Sequence, residues 1–242
     1  TRGSSSYNGT ATFEGNGIDF TACNGAILTG FNSHHNSGNG LDAILGSASI
    51  VIEGGEFHDS GGGPYLASGV RFDTNSTGCI LRHARSYSNQ SAGVVIEDHA
   101  SGITIAYNLF YDNTAGMTAT NEPGSGNTYY NNVCYGNREE GMAVYNWREP
   151  NPGFTANNNI LAANKYGMRF NSLGAAGAHV IDYNLYYGNS HGAVERDGAL
   201  YSQAQLGFTA TDMGIAFTFM GLAGAIMQGA LVGKAIDRYG EE

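Results

Sequence analysis

Apolar residues in this chain recur in pairs one position apart, each pair opening directly after a glycine: Ile18 and Phe20, Leu41 and Ala43, Val70 and Phe72, Val94 and Ile96, Met117 and Ala119, Met142 and Val144, Met168 and Phe170. The residues between them are mixed or polar. Alternation with a period of two marks a strand with one buried face, so each pair predicts a short strand. The glycines are Gly17, Gly40, Gly69, Gly93, Gly116, Gly141 and Gly167, and an eighth, Gly192, precedes Ala193 and Glu195. A carboxylate at the inward place of that last set predicts that the regular stack ends near Glu195.

Successive glycines are separated by 23, 29, 24, 23, 25, 26 and 25 residues. A second mark shares this period: the asparagine pairs Asn108 and Asn113, Asn132 and Asn137, Asn159 and Asn164, Asn184 and Asn189. A repeat of this length describes a supersecondary unit that stacks on copies of itself. In a solenoid of parallel strands, equivalent side chains lie about 4.8 Å apart along the axis. Stacked asparagines can then bond up and down a column, and asparagine, like glycine, tolerates a left-handed turn. The composition agrees, with 37 glycines, 4 prolines and only 13% charged residues in 242. The reading is an all-β parallel β-helix of about eight coils over residues 1–204, followed by an apolar α-helical segment over 205–242.

Over roughly residues 10–200 the pattern resembles the right-handed parallel β-helix repeat family, the pectin-lyase-like superfold. The segment DYNLYYGNSHGAVERDGALYS is similar to the closing coil of such bacterial proteins. The resemblance implies export, an extracellular or cell-surface setting, and a role in acting on or holding polysaccharides, uronate polymers included. It does not single out a reaction. The string VVIEDHAS resembles the W-I-D-H segment of pectate lyases at Ile96, Asp98 and His99, but Glu97 interrupts it and the tryptophan is absent. The other strings that mark pectate lyases and polygalacturonases are missing, so neither activity is supported.

A formal net charge of −10 argues against a nucleic-acid partner, which needs clustered lysine and arginine. Cys23, Cys79 and Cys134 have no metal-ligand spacing and read as small buried hydrophobes. His34, His35, His58, His83, His179 and His191 read as scattered through turns, without metal-motif spacing. The N-terminal Thr1 is followed by no apolar signal segment, so the chain reads as a processed or truncated product, expected to be a monomer.

From Met213 to Gly233 there is no charge, and 21 such residues can span a bilayer core. Small residues at Gly221, Ala225, Gly229 and Gly233 give a helix a close-packing face, and Lys234 and Arg238 would lie on the cytoplasmic side. The stretch from Leu206 resembles one membrane helix of a major facilitator transporter, with Gly233, Asp237, Arg238 and Gly240 matching a G-x-x-x-D-R-x-G loop motif. Three readings of the tail stand open: a membrane anchor, a cap on the β-helix, or a fused transporter fragment.

Candidate chemistry lies on the outward positions of the strand after each glycine. Two residues on come Asp19, Asp42, Arg71, Val95, Thr118, Ala143, Arg169 and Val194; four residues on come Thr21, Ile44, Asp73, Glu97, Thr120, Tyr145, Asn171 and Arg196. Asp73 and Glu97 thus fall on adjacent coils, where two carboxylates raise one pKa or recruit a cation such as Ca²⁺. With Arg71, Asp98 and His99 they form a candidate catalytic cluster for a polysaccharide lyase or a glycoside hydrolase. Tyr145, Trp147, Arg148 and Arg169 are candidate sugar-binding residues, since aromatic faces stack on sugar rings and arginine pairs with carboxylates. A non-catalytic carbohydrate-binding or surface-structural module is the alternative.

Overall fold

The computed structural model describes residues 4–10, 15–63, 66–120, 124–145, 153–170, 179–196 and 199–201. Within them every strand from Ser4–Ser6 to Gly192–Arg196 pairs in parallel with the strand one coil away, in three sheets. The first sheet has nine strands and carries the glycine-led segments, from Ile18–Thr21 to Gly192–Arg196 and Ala199–Tyr201. The second has seven, from Ile27–Thr29 to Val180–Asp182, and the third has eight, from Ser4–Ser6 to Leu185–Tyr187. Among the described residues the chain completes seven three-strand coils, one fewer than the glycine count predicts, since no described strand of the other two sheets follows Gly192–Arg196. These coils belong to a unit spanning Thr1–Leu200. No helix occurs among the described residues, and the apolar tail lies outside them.

The core is a set of stacked columns. Leu41, Val70, Val94, Met117, Met142 and Met168 pair in register, as do Ala43, Phe72, Ile96, Ala119, Val144 and Phe170, and all are buried. Burying each of the larger side chains is worth about 1.5 to 3 kcal/mol. The leading glycines have a steric cause: a Cβ on Gly116 would lie 2.5 Å from the Gly141 carbonyl oxygen and 2.6 Å from Cys134 Sγ. Gly116→Ala is therefore expected to lower stability by about 1 to 3 kcal/mol through overpacking, measured by urea denaturation.

Two asparagine ladders tie the corners of the coils. Asn108 Nδ2 donates to Asn132 Oδ1 at 3.1 Å, Asn132 to Asn159 at 3.0 Å and Asn159 to Asn184 at 2.9 Å. The second ladder runs through Asn89, Asn113, Asn137, Asn164 and Asn189. Of the cysteines, Cys79 and Cys134 are buried and Cys23 is half-buried; all three are free.

The last strand departs from the expected register. Met168 pairs with Val194, Arg169 with Glu195 and Phe170 with Arg196, so this strand is shifted one residue relative to the glycine alignment. A one-residue shift exchanges the two faces of a strand. Val194 therefore takes the inward place, and Glu195 turns outward onto Arg169, with 3.1 Å between Oε2 and Nε. Glu195 does not break the inward column.

Candidate functional site on the outer face of the first sheet

The in-register first sheet lines up Asp42, Arg71 and Val95 on three successive strands. Arg71 is the centre of the first cluster. Its Nε donates to both Asp42 oxygens at 3.0 Å, and its Nη2 also meets Oδ2. Its Nη1 lies 3.6 Å from Asp73 Oδ2 and 3.5 Å from Glu97 Oε1. Burial works against this guanidinium's charge, and the carboxylates of Asp42, Asp73 and Glu97 more than offset that, so it is held more firmly protonated than usual. Asp42 is fully buried; burial pushes its carboxyl up, opposed by the Arg71 bonds.

Asp98 and His99 occupy a turn in which both adopt left-handed backbone conformations (φ 44° and 65°), directly above Thr74 and Asn75 (φ 44° and 60°) one coil earlier. That turn brings the Asp98 carboxyl beside that of Asp73. Burial, then the charge of Asp73, push the Asp98 carboxyl above its ordinary value. The structure thus brings Arg71, Asp73, Glu97 and Asp98 together, with His99 on the adjoining turn.

A calcium ion does not fit between Asp73 and Glu97 as they stand. Calcium takes six to eight oxygen ligands, whereas these two carboxylates share a guanidinium that already supplies the positive charge. Among the described residues no group of three or more His, Cys, Asp or Glu side chains is disposed to hold a metal ion.

A second cluster lies about 19 Å along the same face, four strand spacings away. Arg169 Nη1 is 3.2 Å from Glu140 Oε1, its Nε bonds Glu195, and its guanidinium sits 4.9 Å from the Tyr166 ring centroid and 5.8 Å from that of Tyr145. Tyr145 Oη donates to Glu140 Oε1 at 2.6 Å. Burial, then Glu140, push the Tyr145 hydroxyl above its ordinary value. Tyr145 and Arg169, expected to bind sugar, therefore meet; Trp147 and Arg148 lie outside the described residues. Between the clusters the face carries a small apolar strip, Ala92, Val95 and Ala115.

Asp42 and Glu140 are members that reasoning from the sequence did not select. Glu140 precedes Gly141, and the position before each glycine shares the outer face, as the contact of Ala92 and Ala115 with Val95 makes plain. Two of the histidines are also not turn residues. His34 and His58 are strand residues paired in register, stacked at 5.1 Å, and His58 stacks on Tyr87 at 4.6 Å and Tyr87 on Tyr111 at 4.7 Å, all on the third sheet.

A family model described as the right-handed beta helix region matches residues 4–155. The chain belongs to the right-handed β-helix family. The periplasmic alginate epimerase AlgG is similar in structure at 18% identity and a TM-score of 0.56, covering 75% of this chain and 47% of that one. A variant of the same enzyme matches at 16% and 0.59, covering 70% and 42%. An alginate lyase from Paenibacillus sp. str. FPU-7 matches at 13% and 0.42, covering 79% and 90%. The chain spans less than half the length of the epimerase structures, and the likeness to them is one of fold. No curated protein matches. The transporter-like tail lies beyond both the family match and the described residues.

Proposed function

We propose that this β-helix acts on a polysaccharide laid across the outer face of the first sheet, as a glycoside hydrolase using the Arg71 cluster. The observation that carries the reading is the crowding of the Asp73, Glu97 and Asp98 carboxyls around an arginine whose charge is already taken. Asp98, shifted toward its protonated form, is suited to give a proton to a leaving glycosidic oxygen. Glu97 and Asp73, both facing the Arg71 guanidinium, supply the carboxylate on the other side of the reaction. The fold likeness to an alginate epimerase supports a polysaccharide partner. The same reading sets the protein outside the cytoplasm or at the cell surface.

Charge decides between hydrolysis and elimination. Removing a proton beside a uronate carboxylate needs a cation to neutralise that carboxylate, and Arg71 and Arg169 are each engaged by at least two acids. The reading therefore favours neutral polymers over uronate polymers, and calcium is not required. The test is purified protein against a panel of neutral and uronate polysaccharides, with and without Ca²⁺, scored both for new reducing ends and for unsaturated products. New reducing ends without unsaturation are expected; unsaturated uronate products would assign a lyase instead, and binding without turnover would assign a binding module.

Asp98→Asn is expected to lower turnover at least about 100-fold, the usual contribution of a general acid, while leaving the melting temperature unchanged or raised. The sign follows from linkage: a carboxyl whose folded pKa is raised contributes stability below its unfolded pKa and loses it as pH rises through the folded one, so an amide removes a cost at neutral pH. Turnover is expected to fall along the same alkaline limb as Asp98 loses its proton, read from a pH–rate profile.

A further inference from the structure

At the corner between the second and third sheets, successive coils carry Gly30, Gly54, His83, Tyr107, Asn131, Asn158 and Tyr183, with backbone hydrogen bonds linking one coil to the next there. All adopt the same left-handed conformation, with φ between +53° and +67°. The backbone thus repeats while the first two coils lack the side chain. His83 stacks on Tyr107 at 5.3 Å and 20°, so its other face is turned toward the coil of Gly54. A Cβ placed on Gly54 would meet only the His83 carbonyl oxygen, at 3.8 Å.

A cavity of about 380 Å³ opens beside His83 and Gly30, within the range of small-ligand sites. Gly30, Phe31 and Gly55 line it, and Gly55 lets its coil approach the preceding one, since a Cβ there would lie 2.4 Å from the Phe31 carbonyl oxygen. Its wall is Asn32, Glu56 and Arg85, with Glu56 and Arg85 joined as an ion pair. One aromatic face beside a rim of donors and acceptors is the chemistry of a sugar ring, whose C–H face is apolar and whose hydroxyls lie in the ring plane. An aromatic guest would leave the polar rim unmatched.

We propose that this notch is a carbohydrate-binding site in which one neutral pyranose ring lies on the His83 face, where the corner side chains of the first two coils are missing, with its hydroxyls on Asn32, Glu56 and Arg85. It is separate from the first-sheet clusters and does not depend on their chemistry. A ring held here would anchor polymer on a different side of the solenoid.

The test titrates the full chain with cellotetraose, xylotetraose and, as an aromatic control, p-cresol, following the His83 imidazole proton resonance by NMR. A saturable shift with a tetrasaccharide is expected. Gly54→Tyr supplies the missing ring in a conformation that Tyr107 and Tyr183 already adopt in this column, and is expected to abolish the shift while circular dichroism stays native. Gly54→Asn, which repeats the side chain of Asn131 and Asn158 in the same column, serves if the tyrosine variant does not fold. Asp98→Asn is expected to leave the notch shift intact, and Gly54→Tyr to leave turnover intact. No saturable shift with either sugar, a shift that survives filling of the notch, or a shift with p-cresol alone would overturn the proposal.

Discussion

Arg71→Met is expected to destabilise the protein by about 3 to 5 kcal/mol at neutral pH, the usual effect of removing one partner from a buried ion pair. The cause is Asp42. It is fully buried and takes both Nε bonds of Arg71, so the variant leaves a carboxylate with little but the Asn16 amide, 3.3 Å from Oδ2, to compensate it. The loss should depend on pH in a defined direction. Without the arginine the folded Asp42 pKa rises further, so the variant approaches the parent's stability below the unfolded carboxylate pKa and falls behind as pH rises through the folded one. Arg71→Met combined with Asp42→Asn should recover most of the loss, because the amide carries no charge to strand. Urea denaturation of the four proteins at pH 4 and 7 measures this; single-variant effects that simply add would sink it.

The second large effect belongs to Asn132. Its Nδ2 donates to the Ile105 carbonyl at 2.8 Å and to Asn159 Oδ1 at 3.0 Å, and its Oδ1 accepts from the Asn108 amide N–H at 3.0 Å and from Asn108 Nδ2 at 3.1 Å. Asn132→Ala removes four buried bonds at once. Asn108 Nδ2 keeps its bond to the Leu81 carbonyl and Asn159 Oδ1 keeps the residue-132 N–H, so two groups are left unpaired and, at about 1 to 3 kcal/mol each, a loss of about 2 to 6 kcal/mol is expected. Such a loss is a large part of a typical domain's total stability of about 5 to 15 kcal/mol. The neighbouring Asn131 gives the comparison: it is only half-buried and sits on the outer corner column, so Asn131→Ala should cost little beyond the strain of alanine at φ 56°. Equal melting temperatures for the two variants would refute the ladder's energetic role.

The columns of the first sheet were legible because two local rules coincide there. A glycine is required where no Cβ fits, and the residues after it alternate between core and surface, so counting from the glycine identifies facing partners such as Asp73 and Glu97. The same counting fails at Gly192. Letter for letter it matches Gly167, yet the residue opposite Gly167 is Ala193, whose carbonyl crowds that position; register is set by pairing between coils, which a single segment does not carry. Asp42 was visible as an outward residue but its role was not, since burial of an outward position depends on the Arg71 side chain that covers it. Glu140 escaped because the kink at each glycine returns the preceding residue to the outer face. The histidine and tyrosine stack on the third sheet escaped for a related reason: that sheet has no glycine to count from, and its pairing follows only once the first sheet is in register.

Because neighbouring coils meet through matched columns, one of them can be copied without disturbing any other. Duplicating residues 93–115 would present the same ladders and the same core to both neighbours, and would insert a further step, carrying second copies of Val95, Glu97 and Asp98, between the Arg71 and Arg169 clusters. The separation of Arg71 from Arg169 would grow by one strand spacing, about 4.8 Å. The molecule is in this sense a ruler with a graduated scale, and its length is a quantity that gene duplication can adjust one mark at a time.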